Sequence, residues 1–147
     1  MTRRLLACLT ALVLSASALS CASAARAAFT PDGGSYGADD LTQLLQDADL
    51  SAFSDIPTDD AAETRTRILA SLRQEGDDAA ALADTLTSDF PTDITSVPAI
   101  VERGTYEGEQ AWIVIESWGE PGGTLAYRRI WVFSYDERAV VAATSAR

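Results

Sequence analysis

Two apolar runs around a Gly-Pro break narrow the folds open to this chain more than anything else in it. The first is Ala111-Trp112-Ile113-Val114-Ile115-Glu116-Ser117-Trp118. The second runs from Thr124 to Tyr135, and Gly119-Glu120-Pro121-Gly122-Gly123 lies between them. β-Branched and aromatic side chains suit a pleated, packed surface, whereas Pro and Gly interrupt it. The pattern predicts two antiparallel strands joined by a short loop. Side chains alternate across a strand. Ala111, Ile113, Ile115 and Ser117 therefore oppose Trp112, Val114, Glu116 and Trp118. In the second run, Ala126, Arg128, Ile130, Val132 and Ser134 oppose Leu125, Tyr127, Arg129, Trp131, Phe133 and Tyr135. One face of this pair is aliphatic and the other aromatic.

Short connections add a strand on each side. Val97–Tyr106 precedes the pair through a Glu107-Gly108 turn, and Ala139–Thr144 follows it through Asp136-Glu137-Arg138. Upstream, apolar residues recur at helical spacing. Leu41, Leu44 and Leu45 mark a helix over Asp39–Ala48. Ile68, Leu69 and Leu72, extended by Ala61 and the stem of Arg65, mark one over Asp59–Gln74. Ala79, Leu82, Ala83, Leu86 and Phe90 mark a third, begun by Asp77-Asp78 and stopped by Pro91. The fold class expected is α+β: two or three N-terminal helices packed on one face of a four-stranded antiparallel meander. That arrangement leaves the aromatic face partly open.

Domain organisation follows from the first residues. Residues 1–27 contain no acid, begin with Met1-Thr2-Arg3-Arg4, continue through the apolar Leu5–Leu14 and end in small residues. This is the plan of a signal peptide, and the apolar run is short of the ~20 residues a spanning helix needs. Ala22-Ser23-Ala24 and Ala25-Arg26-Ala27 both suit ordinary signal peptidase. Ala18-Leu19-Ser20-Cys21 resembles a lipobox, with Ala18 and Leu19 in swapped order, so Cys21 is the lipidation candidate. Membrane attachment is expected only through such an anchor. Residues 28–37, with Gly33, Gly34 and Gly37, read as a flexible linker, and 38–147 as a single domain.

Charge and composition exclude several functions. The net charge is −11, with 22 acids against 11 basic residues, all of them Arg. Nucleic acid would be repelled, so no such partner is expected. Residues 28–96 alone carry fifteen acids and three arginines. The chain has no His, and its only cysteines are Cys8 and Cys21. Serine–histidine and cysteine–histidine catalysis are thereby excluded, as is a His-containing zinc site. Asp47, Asp49, Ser51 and Asp55 alternate like a calcium loop, but Ala52 stands at the turn glycine and Thr58 at the bidentate acid. No metal and no cofactor are expected.

The aromatic face holds the ligand-face candidates: Trp112, Trp118, Tyr127, Trp131 and Tyr135 for stacking, with Arg129 and Glu116 for directional hydrogen bonds. Packing of the same aromatics into a core is the plain alternative. Arg128-Arg129 read as cross-strand partners for Glu102 or Glu116, or as an anion clamp. Nothing selects a carboxylate pair, so no catalytic residue is assigned.

Phe90-Pro91-Thr92-Asp93, Val97-Pro98, Ala111-Trp112, Trp118-Gly119, Gly122-Gly123 and Arg129-Ile130-Trp131-Val132-Phe133 together resemble small, uncharacterised exported proteins of high-GC Gram-positive bacteria. The resemblance covers about residues 36–142. It implies a cell-envelope location and helices followed by a sheet, and it transfers no activity. The function expected is that of a non-enzymatic binding or accessory module, lipid-anchored or secreted, with a protein or small-ligand partner at the cell envelope. A secreted hydrolase using a carboxylate pair is the alternative.

Overall fold

A computed structural model describes residues 25–89 and 95–147. The stretch expected as a signal peptide, as far as Ala24 and including Cys21, and the expected Phe90–Pro91 helix stop lie outside the described residues. Among the described residues, no helix is long and apolar enough to cross a membrane.

Six strands among the described residues form one mixed sheet: β1 (Ala28–Thr30), β2 (Ser35–Tyr36), β3 (Thr95–Tyr106), β4 (Glu109–Gly119), β5 (Tyr127–Ser134) and β6 (Val140–Ala146). The order is β1-β3-β4-β5-β6, with β2 also on β3. β3 to β6 pair antiparallel, whereas β1 and β2 run parallel to β3. Among the described residues, four α-helices, α1 (Asp40–Asp47), the single turn α2 (Ser51–Ser54), α3 (Ala61–Leu72) and α4 (Asp77–Ser88), lie between β2 and β3. The class is α+β. The expected four-stranded antiparallel meander is corrected to a six-stranded mixed sheet.

The correction begins in the segment expected as a linker. Gly33 N–H donates to Arg103 O at 2.8 Å, Thr105 N–H to Gly34 O at 3.0 Å and Glu107 N–H to Tyr36 O at 2.9 Å. Glu102 accepts from Gly34 N–H at 2.6 Å and from the Tyr36 hydroxyl at 2.7 Å. Burial first, and then the Glu102 carboxylate, push the Tyr36 hydroxyl up to about 12. A Cβ on Gly104 would lie 2.5 Å from Gly34 O, so the close crossing of the two segments depends on that glycine. The sequence shows these glycines. It does not show that β3 satisfies the backbone around them.

Turn chemistry agrees with expectation at two places. Glu107 and Gly108 have φ of 51° and 85°, the all-positive pattern of a type I′ hairpin turn, and Tyr106 pairs with Glu109 across it. Gly76, at φ 123°, separates the end of the α3 segment from α4. At the other end of the sheet, Thr124–Ala126 precede β5 and tie back to the α2–α3 connector. Thr58 N–H donates to Gly123 O, and Leu125 N–H to Ile56 O, both at 3.0 Å.

The second correction concerns the layers. Helices cover both faces. Leu41 and Leu45 of α1, Leu50, and Phe53 of α2 pack with Ala111, Ile113, Ile115, Ile130 and Val132, the aliphatic set. Leu69 and Leu72 of α3, with Ala79, Leu82, Ala83 and Leu86 of α4, pack with Val101, Trp112, Val114 and Phe133, the aromatic set. The alternation legible in the strands thus sorts side chains into two cores. The aromatic face is therefore mostly interior.

Candidate functional site

The ligand-face candidates separate in the structure. Trp112 is 1% exposed. Its ring stacks on Tyr135 at 5.8 Å and 22°, with Phe29 at 6.4 Å. It belongs to the core, and its assignment to an open face is corrected. Trp118, Tyr127, Arg129 and Trp131 gather toward the opposite end of β4 and β5. Trp118 lies 4.9 Å from Tyr127, and the Arg129 guanidinium stands 4.7 Å from Trp131 and 5.9 Å from Trp118.

Arg129 is committed inward. Its guanidinium donates to Glu116 Oε2 at 2.6 and 3.2 Å, and Trp131 Nε1 donates to the same oxygen at 2.9 Å. The other oxygen, Oε1, accepts from Arg65 at 2.9 Å and from Ser96 Oγ at 3.3 Å. Arg65 also donates to Ser96 O at 3.1 Å and Leu86 O at 2.8 Å. One buried carboxylate thereby joins α3, the end of α4, β3, β4 and β5. Burial, the largest influence on Glu116, opposes ionisation. The charges and hydrogen bonds of Arg129 and Arg65 outweigh it and hold the carboxyl below its usual range. A general acid needs the opposite shift. The cluster is an internal brace.

Arg128 takes the other face. It donates to the carbonyls of Leu45, Gln46 and Ala48 at 3.1, 3.2 and 3.4 Å, satisfying the end of α1. The cross-strand partnership of Arg129 with Glu116 forms. Adjacent strand residues point oppositely, so Arg128 and Arg129 do not make an anion clamp.

An open recess lies where the β3–β4 and β5–β6 turns meet. It measures about 540 Å³ and is lined by Tyr106, Glu107, Glu109, Gln110, Ala111, Ser134, Tyr135, Asp136, Glu137 and Val141. Tyr135 forms part of its wall; its ring is fixed by Trp112, and its hydroxyl donates to Asp78 of α4. Four carboxylates line the recess. Glu107 accepts from Ala38 N–H at 2.6 Å. Among the described residues, none of the four forms an ion pair. Concentrated negative charge beside tyrosine rings favours a cation, by Coulomb attraction and by contact with the ring faces.

Of the recess residues, only Tyr135 stands among the stacking candidates legible in the sequence, and none of the four acids does. The available signal was positional. In an up-and-down set of strands the 107–108 and 136–138 turns share one end, and acids cluster at both. Arg65 was read only as an apolar stem. The signal there was a pair of opposite charges, Arg65 and Glu116, both at inward positions. Compared with known protein families, curated proteins and solved structures, the chain finds no match.

Proposed function

We propose that the chain is an exported cell-envelope module that performs no chemistry and binds a cationic segment of a partner protein in the turn-end recess. The observation that carries this reading is the recess itself: four carboxylates and two tyrosines around about 540 Å³, on a chain of net charge −11. The paired β3–β4 and β5–β6 connections bring the backbones of these groups together in the fold itself, which lowers the ordering cost of binding. Glu116 is wholly buried with both oxygens engaged by two guanidiniums, an indole N–H and a serine hydroxyl, which argues against its reaching a substrate in a carboxylate-pair hydrolase.

Export rests on the leader, and anchoring rests on Cys21. Mass spectrometry of the mature N-terminus from the native host separates the two routes. A diacylated Cys21 is the anchored form, whereas a start at Ala25 or Ala28 is the secreted one. Binding is tested by titrating the full chain with a short arginine-rich peptide at rising salt. Saturable binding is expected, weakened by salt and lost in an E109Q/E137Q variant. Equal binding to that variant would place the cation elsewhere and end the proposal.

A further inference from the structure

The recess continues into an unpaired strand edge. β6 is the last strand on its side, and among the described residues no strand pairs with its outer edge. Its sequence, Val140-Val141-Ala142-Ala143-Thr144-Ser145-Ala146, contains no Pro, no Gly and no charge. Sheet edges are usually blunted by such residues, by covering or by shortness. The opposite edge is short: β1 has three residues and β2 two. On β6, regular pairing with β5 runs from Ala142 to Ala146, and a bulge separates Ala142 from Val140. The bulged residue, Val141, is 52% exposed and lines the acidic recess. A bulge re-aims a side chain in this way.

We infer that β6 receives an extended polypeptide strand of a basic partner, which pairs antiparallel along Ala142–Ala146 and delivers Arg or Lys residues into the recess. Antiparallel addition sets the residues after the paired run beside Val141, since the recess lies at the start of β6. Main-chain hydrogen bonds supply affinity, and the carboxylates select the basic end. A second copy of this chain fits less well. Each copy carries net charge −11, and a single arginine, Arg147, follows its own β6. This inference rests on the cationic reading above and adds the backbone pairing to it.

The test uses the full chain and three synthetic peptides: alternating Val and Thr ending in two arginines, the same peptide N-methylated at alternate residues, and a version ending in two glutamines. Calorimetry is expected to show saturable binding of the first. Loss of the outward N–H groups in the second should weaken it about tenfold or more, because several net-favourable hydrogen bonds go at once. The glutamine peptide should weaken similarly. Equal binding of the N-methylated peptide overturns strand addition while leaving the cationic recess standing. Equal binding of the glutamine peptide overturns the cationic reading while leaving the edge. Binding by none of the three at millimolar concentration overturns both. Sedimentation of the free chain as a dimer that the peptide does not dissociate overturns the choice of occupant.

Discussion

Carboxylates do opposite work at the two ends of this sheet. Glu116 is wholly buried and meets two guanidiniums, an indole N–H and a serine hydroxyl. Glu107, Glu109, Asp136 and Glu137 are exposed around a recess without an ion pair among the described residues. The difference teaches where a charge stabilises and where it is left for a ligand. A buried ion is tolerated only when its lone pairs are matched, and matching spends its capacity to bind anything else. Exposed carboxylates keep their water and part of their field, and they remain available.

The largest effect that breaks this contrast is Glu116→Gln. It leaves Arg65 and Arg129 facing each other around a neutral amide, at 18% and 12% side-chain exposure. Denaturant unfolding should show a loss of about 3–5 kcal/mol, the usual cost of orphaning a buried charge. Replacing all three by Leu and Met should recover much of it. A cost of Glu116→Gln below about 1 kcal/mol would remove the brace from the account.

Trp112→Ala comes next, with a cost of about 3–5 kcal/mol expected from loss of a buried ring in the α3–α4 core. Tyr127→Ala, on the partly open end, should cost clearly less. The two melting curves decide between core and surface, and an undisturbed fold in Trp112→Ala would restore the open-face reading.

A smaller effect appears in acid. The folded Glu116 carboxyl titrates below the unfolded one, near about 4.3. Its contribution is therefore complete above that pH and fades as pH falls through the folded value. Stability of the parent should fall more steeply below about pH 4 than that of Glu116→Gln. Parallel acid curves would sink the assignment.

The smallest stability effect belongs to the recess. E109Q/E137Q should leave unfolding free energy within about 0.5 kcal/mol of the parent, as exposed sites do, or raise it slightly by relieving repulsion. Binding of the arginine peptide should fall in the same variant. A large stability loss would show that these carboxylates support the fold.

Much of the fold is readable without coordinates. The alternation of Ile113 and Ile115 against Trp112 and Val114 forecasts an aliphatic and an aromatic face, and Glu107-Gly108 forecasts its turn. Helical spacing forecasts α1, α3 and α4. Covering of the aromatic face is not readable, because an amphipathic helix records that it has an apolar side and not which sheet face receives it. The recess is unreadable for a related reason. Its acids stand apart in sequence and meet only once the strands are in register.

The sequence by itself determined the class, the strand alternation, the absence of histidine chemistry and the leader's signal-like plan, since composition and short-range periodicity encode these directly. Tertiary structure alone decided that the Gly-rich segment joins the sheet, that Trp112 is interior, that Arg65 and Arg129 share Glu116, and that the outer edge of β6, unpaired among the described residues, lies beside an acidic recess. Each of these depends on which distant groups satisfy one another's hydrogen bonds and charge, and those pairings are fixed only when the layers close.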